Sequence, residues 1–226
     1  MTKKKFSRLE KLIGKDNIKL LSNKTILVLG IGGVGGYVVE SIVRSGIGNI
    51  IIVDNDIVDE TNINRQIIAL DSTIGKKKVD VLEKRIKDIN NECKVIKIDE
   101  FIKPNNINIL FEYNIDYLVD ACDYVDTKKA IIKECLTRKV KFISSMATAK
   151  KIDPSKLKIT DIRKTYNDPL AKIIRKYVKD EKINKKIDVL TSTEVSKKTE
   201  GLGSCMYVPA SAGILIASYI IKKIID

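Results

Sequence analysis

The sequence predicts an α/β chain: a Rossmann-like, doubly wound, mostly parallel sheet with a C-terminal α+β extension. Three observations predict it. Strand-like and helix-like runs alternate from residue 25 to residue 145, a rhythm that calls for right-handed crossovers between parallel strands. The first strand-like run ends in Gly30-Ile31-Gly32-Gly33-Val34-Gly35-Gly36, a glycine-rich turn that opens a helix. Beyond residue 145 the alternation gives way to shorter runs around a basic helix. At 226 residues, 44% of them hydrophobic, the chain is long enough to bury a substantial core.

Each element follows from its residues. Residues 6–24 read as one short amphipathic helix with apolar Phe6, Leu9, Leu12, Ile13, Leu20 and Leu21. Residues 25–29 form a β-rich run that looks like a buried parallel strand. The glycine turn and a helix over 34–45 follow, then a second strand at 49–53 that ends at Asp54. Residues 55–75 are polar and irregular. A helix over 76–90 places Val79, Leu82, Ile86 and Ile89 on one face. Strands at 94–98 and 116–121, a helix over 126–138 and a strand at 140–145 complete the alternation. In the extension, short runs at 156–162 and 188–192 flank a basic helix from Pro169 to Lys179, and a small-residue helix over 209–225 closes the chain. Residues 1–145 are expected to form a nucleotide-binding domain. Residues 146–226 are expected to pack on the same sheet rather than fold independently.

Composition excludes several chemistries. There is no histidine, which removes Ser-His-Asp and Cys-His catalysis and histidine metal sites. Cys93, Cys122, Cys135 and Cys205 include no C-x-x-C pair, so no zinc site of the usual thiolate spacing is expected. Cys205 reads as a small buried residue. The basic start, residues 1–8, is followed by no apolar core and cleavage site. The most apolar stretch, 208–221, is shorter than the roughly 20 residues a bilayer span needs. The expected setting is therefore a reducing cytoplasm, with free thiols and no membrane.

The formal net charge is +13. Lysine bias contributes, since Lys outnumbers Arg by 35 to 7. Position matters more: residues 127–198 hold 21 basic against 8 acidic side chains, and the remainder balances at 21 and 21. A localised basic surface points to a polyanion, nucleic acid being the commonest. Lys172, Arg175, Lys176 and Lys179 are the first candidates for RNA contact. Spacings of three and four residues line them up on one face of the basic helix, which would dock through Leu170, Ile173, Ile174 and Tyr177.

The glycine turn lets backbone N–H groups approach phosphate at a helix N-terminus. Asp54, at the end of the next strand, can accept hydrogen bonds from ribose hydroxyls. The turn alone does not separate NAD from ATP. The residues that follow do: Asp54-x-Asp56, then Asn62-x-x-Arg65-Gln66, then Lys76-Lys77-Lys78 at a helix start, then Asp120-Ala121-Cys122-Asp123 after a strand. Hydride transfer needs no such set. Attack of a carboxylate on the α-phosphate does, because charge builds on phosphoryl oxygens that Arg and Lys stabilise. A strand-end carboxylate can hold the Mg²⁺ that bridges phosphates.

In that order, GIGGVGG, DND, TNINRQ, GKKKV and DACD resemble the ubiquitin-activating-enzyme-like adenylyltransferases, the ThiF/MoeB/HesA group, over roughly residues 6–145. The resemblance implies that Gly30, Gly32, Gly33 and Gly35 cradle phosphate and that Asp54 holds ribose, with Asp56 and Gln66 also on the nucleotide side. It implies that Asn62, Arg65 and Lys78 act on the triphosphate, that Asp123 binds Mg²⁺, and that Arg8 reaches the partner subunit's ATP. Within the group, the chain resembles the tRNA threonylcarbamoyladenosine dehydratases. The further residues that carry this are SGIGNIIIVDNDIV, Ile152-Asp153-Pro154, Asp168-Pro169-Leu170-Ala171, Ser192-Thr193-Glu194 and a G-x-G helix start at Gly201-Leu202-Gly203. Members use ATP to activate the substrate carboxylate, which then cyclises with loss of water. The branch implies tRNA as substrate, a homodimer, ATP and Mg²⁺ without zinc, and leaves open a sulfur-transfer partner such as a cysteine desulfurase. Some members carry a cysteine just before the S-T-E stretch, where this chain has Ile187 to Thr191, so no thiol role is carried over. Two other readings remain: an adenylyltransferase that activates the Gly-Gly terminus of a ubiquitin-like or sulfur-carrier protein, and a nucleotide-sensing or NAD-binding module without chemistry.

Overall fold

The computed structural model describes residues 4–226; residues 1–3, part of the basic N-terminal run, lie outside them. Seven strands occur in chain order: β1 (Thr25–Leu29), β2 (Asn49–Val53), β3 (Lys94–Ile98), β4 (Tyr117–Asp120), β5 (Lys141–Ser145), β6 (Leu157–Asp161) and β7 (Asp188–Ser192). The helices are α1 (Ser7–Ile13), α2 (Lys15–Ser22), α3 (Gly35–Arg44), α4 (Lys78–Ile89), α5 (Val125–Arg138), α6 (Pro169–Asp180) and α7 (Tyr207–Ile225). The strands form one sheet in the order β3-β2-β1-β4-β5-β7-β6. Every neighbouring pair is parallel except β6 with β7. The winding reverses between β1 and β4, which opens a crevice beyond their C-terminal ends.

Strand β1 is a continuous apolar run because both faces of the sheet are covered. Ile26 and Val28 join the core under α3, α4 and α7 with Val38, Leu82 and Ile216. Leu27 and Leu29 face the other side, with Leu110, Ile131 and Cys135. A third cluster, built on Ile132, Ile162, Ile174 and Val189, joins α5 and α6 to the extension. Glu40 on α3 receives Arg44 and Arg85, a clamp to α4 that holds its carboxyl below the usual range despite partial burial.

The structure corrects four sequence expectations. The helix expected over 6–24 is two helices, broken at Gly14, where φ is 86°. Leu12 is left on the surface at 80% exposure. Helix α7 starts at Tyr207, beyond the G-x-G at 201–203. At 19 residues it is long and apolar enough to cross a membrane by length and composition, where the stretch 208–221 alone was too short. Its buried face packs closely on α3: a Cβ at Gly213 would lie 2.4 Å from the Val34 carbonyl. On α6, Ala171, Ile174 and Val178 face the core, whereas Ile173 is exposed and Arg175 is turned partly inward. The expected docking stripe is thus rotated, and Arg175 leaves the solvent-facing row.

Two lysines counted in the basic stretch are interior. Lys128 is buried against Asp120 at 3.0 Å. Lys151 is buried 3.7 Å from Asp168 and donates to the Ala147 carbonyl at 3.1 Å. Desolvation lowers the Lys151 pKa, and Asp168 opposes that shift.

Two stability changes follow. Lys139 ends α5 in the left-handed region, φ 58°, with the Val140 N–H closing on the Cys135 carbonyl, a position glycine fills without Cβ strain. Lys139→Gly is expected to raise the urea midpoint, a gain of about 0.5–1 kcal/mol. Gly213→Ala is expected to cost about 1–3 kcal/mol, because α7 must lift off α3; an unchanged midpoint would show that this contact is slack.

Candidate active site

At the switch point a recess of about 530 Å³ opens at the C-terminal ends of β1, β2 and β4. Its floor is the glycine turn. Gly30 has φ 80°, and a Cβ there would lie 2.8 Å from the Ala121 carbonyl and 2.9 Å from the Cys122 nitrogen. Both the conformation and the close approach of the β4 loop demand glycine. Gly32 and Gly33 line the recess. Gly35 does not: it opens α3, and a Cβ there would meet the Gly30 carbonyl at 1.8 Å. The close approach lets the helix begin over the turn with no room for a side chain. No side chain caps the first turn of α3, which leaves helix N–H groups for an anion.

Asp54 organises this floor. Its carboxylate accepts from the Ile31 N–H at 2.8 Å and the Asp56 N–H at 2.9 Å. Burial pushes its pKa above the usual range, and Lys78 and the backbone donors oppose that shift. Lys78, almost fully buried, pairs with Asp56 at 2.7 Å. The start of α4 is stitched to the same segment by Lys78 N–H to the Asp56 carbonyl and Val58 N–H to the Lys76 carbonyl. The irregular stretch is therefore a built wall.

Asp59 caps a 3-10 turn at Glu60–Asn62, and the Asn62 amide oxygen accepts from the Asp59 N–H at 3.2 Å. Arg65 is steadied by donating to the Thr61 carbonyl at 2.8 Å and the Asn64 amide oxygen at 3.0 Å. Gln66 is buried with its amide oxygen lacking any hydrogen-bond partner. Asn62, Arg65, Gln66 and Lys78 all line the recess.

On the other side stands the β4 end. Asp123 is exposed and lines the recess. Asp120 is fully buried, and it accepts from Lys128, from Ser144 and, at 3.3 Å, from the Cys122 N–H. The Cys122 thiol donates to Asp120 at 3.0 Å. Burial first, then the Asp120 charge, pushes this thiol far above the ordinary range, so it is no nucleophile.

Sequence reasoning missed the third wall: Thr148, Ala149, Leu202, Ser204 and Pro209 close the recess from the C-terminal half. Hydrogen bonds hold it. The Glu194 carboxylate accepts from the Ile152 N–H at 3.1 Å and the Asp153 N–H at 2.9 Å, so the I-D-P and S-T-E motifs clasp one another. Lys150 N–H reaches the Gly203 carbonyl at 2.8 Å. Cys205 is half-buried rather than buried, its thiol 3.4 Å from the Lys151 carbonyl. Arg8 is exposed on α1 and lies outside the recess of its own chain.

The donor set fits a nucleoside triphosphate. A glycine floor and an uncapped helix suit phosphate, Asp54 suits a sugar hydroxyl, and the orphaned Gln66 oxygen needs a donor that the protein does not supply. No cluster of three or more metal-ligating side chains occurs among the described residues. Asp123 could hold a divalent cation only together with phosphate oxygens, the usual arrangement for Mg²⁺.

Comparison with known proteins agrees with this geometry. The model of the ThiF family matches residues 6–226. The tRNA threonylcarbamoyladenosine dehydratase of Bacillus subtilis is 39% identical, over 97% of this chain and 94% of that protein. Its Escherichia coli namesake is 33% identical, over 98% of this chain and 93% of that protein. The structure of the E. coli enzyme in complex with ATP superposes with a TM-score of 0.92 at 35% identity, over 97% of this chain and 93% of that one.

The raised Asp54 pKa has a consequence. Only the ionised carboxylate accepts from both a backbone N–H and a sugar hydroxyl at each oxygen. Nucleotide affinity is therefore expected to fall as the pH drops through this raised value, starting above the range of an ordinary aspartate. Titration calorimetry across mildly acidic pH checks it. Asp54→Asn should bind weakly with a flat profile; a variant that keeps the wild-type pH dependence would assign the effect to another group.

Proposed function

The chain belongs to the ThiF family, and from that premise we propose that it uses ATP to dehydrate threonylcarbamoyladenosine in tRNA, closing the side chain into a ring. The observation that carries this is likeness over nearly the whole chain to dehydratases, including the C-terminal wall that closes the recess. A nucleotide-binding half alone would fit any adenylating relative.

The glycine floor and the α3 N-terminus hold the triphosphate, and Asp54 takes the ribose hydroxyls. Gln66 gains a donor from the nucleotide. An oxygen of the substrate carboxylate attacks a phosphorus of ATP, and pyrophosphate (attack at the α-phosphorus) or ADP (attack at the γ-phosphorus) departs with the electrons of the broken P–O bond. Arg65 and Lys78 neutralise the charge that grows on the phosphoryl oxygens, with Asn62 beside them. Asp56 keeps Lys78 aimed, since a lone ammonium so deeply buried would be costly. Asp123 would hold Mg²⁺ together with phosphate oxygens, and the ion would supply further neutralisation. The substrate's own nitrogen then attacks the activated carbonyl and loses its proton, and the phosphorylated oxygen leaves with the electrons of the broken C–O bond. The net loss is one water, and no protein thiol takes part.

The enzyme works without zinc, in the cytoplasm, as a homodimer in which Arg8 serves the neighbouring subunit. Leu12, Ile214 and Leu215 are exposed apolar side chains suited to cover by a second copy, and the basic C-terminal half meets tRNA.

Mass spectrometry of nucleosides from modified tRNA tests the activity: a product one water lighter should form only with ATP. Pyrophosphate release driven by a Gly-Gly-ending protein, with no change in the tRNA, would overturn it. Lys78→Ala and Arg65→Ala should each lower kcat by roughly 10²–10³-fold with little change in ATP affinity. Asp123→Ala should abolish Mg²⁺-dependent turnover while the fold persists.

A further inference from the structure

A groove of about 670 Å³ runs between α6 and the segments around Arg163 and residues 182–184. Six cationic side chains line it: Arg163, Lys172, Arg175, Lys176, Lys179 and Lys182. They divide into two kinds. The arginines build the walls. Arg175 donates to the Thr165 carbonyl at 2.8 Å and hydroxyl at 2.5 Å. Arg163 pairs with Asp161 at 2.9 Å and donates to the Ile183 and Lys185 carbonyls. Among the described residues, none of the lysines pairs with a carboxylate. Lys182 is fixed at the groove end in the left-handed region, φ 51°. There the Ile183 N–H closes on the Val178 carbonyl and the Lys182 N–H on that of Lys179, a Schellman ending.

We propose that this groove seats the phosphate backbone of the tRNA whose modified base occupies the recess, with Lys172, Lys176, Lys179 and Lys182 as the contacts and Arg163 and Arg175 as the frame. The inference rests on tRNA being the substrate. Position supports it. The α6 N-terminus is tied to the recess: Asp168 caps Ala171 at 3.0 Å and also accepts from the Ala147 N–H at 3.1 Å, next to wall residue Thr148. From there Lys172 to Lys179 extends about 10 Å along the helix, the reach of a few consecutive phosphates. The competing basic cluster, Lys139, Lys141, Lys185, Lys186 and Lys223, surrounds a recess at the starts of β4, β5 and β7. That recess lies at the end of the sheet away from the nucleotide site, about 17 Å along a five-residue strand, although its Lys185 adjoins the groove at Asn184. There Lys186 is already paired with Asp188 at 2.6 Å.

The test is fluorescence anisotropy of labelled tRNA binding over a salt series, without ATP. The triple variant K172Q/K176Q/K179Q is compared with wild type and with the far-end control K139Q/K141Q/K223Q. Each lost phosphate contact removes roughly 0.7–0.9 from the slope of log K against log salt. The α6 variant should lose about 2–3 from the slope and at least tenfold in affinity, with unchanged ATP affinity and melting temperature. The control should stay within twofold of wild type. An unchanged slope in the α6 variant, or the loss appearing in the control instead, overturns the groove. So does loss of binding to phosphatidylserine vesicles with tRNA binding intact, which would make the groove a lipid site. Dehydration with an unaltered slope defeats the groove alone; an α6-dependent slope without dehydrated product defeats the activity alone.

Discussion

The Asp120 carboxylate and the Lys128 ammonium meet at 3.0 Å with neither side chain exposed. Lys128 also donates to the Ser145 carbonyl at 2.9 Å and the Ser144 hydroxyl at 3.3 Å. One charge pair thus joins the ends of β4 and β5 to the first turn of α5. The other carboxylate oxygen holds the Cys122 N–H, which fixes the loop between β4 and Asp123. That loop rests directly on Gly30. Removing one partner of such a pair strands the other charge in a dry interior, typically at a cost of about 3–5 kcal/mol. The glycine floor and the exposed Asp123 keep their spacing because of it.

The nucleotide site is built from opposed carboxylates and cations rather than from cations alone. Asp54 orders the floor, Asp56 aims Lys78, and Asp59 caps the turn that carries Asn62. Arg65 is bound only to neutral oxygens of its own segment, so its charge stays available to a phosphoryl group. The one unsatisfied acceptor in this wall, on Gln66, lies where a ligand can supply the missing donor. A site already satisfied in every polar atom would have less to gain from binding.

The C-terminal half is a wall of the site as well as a carrier of charge. Glu194 draws the I-D-P segment to the S-T-E segment through two backbone N–H groups. The buried Lys151–Asp168 pair lies beneath the same wall, and Asp168 also caps α6. The helix that carries the exposed lysines is therefore tied to the recess by the residue that starts it.

The sequence by itself determined the alternation of strands and helices, the glycine floor, Asp54, and the cluster of Asn62, Arg65, Gln66, Lys78 and Asp123. These are local signals: periodicity, a turn that only glycine can make, and charged residues next to strand ends. It also showed that the excess charge lies in residues 127–198. Only the tertiary structure decided which of those charges are on the surface. Lys128 and Lys151 read as solvated lysines until the fold brings Asp120 and Asp168 against them from other elements. Arg175 reads as a free cation until α6 docks on a face set by Ala171, Ile174 and Val178, which turns it toward Thr165. That Gly35 can only be glycine is decided by the chain curling back, so that the Gly30 carbonyl fills the space a side chain would need. The antiparallel β6 and the wall at Thr148 and Leu202 likewise depend on contacts between segments tens of residues apart, where no local pattern records the partner.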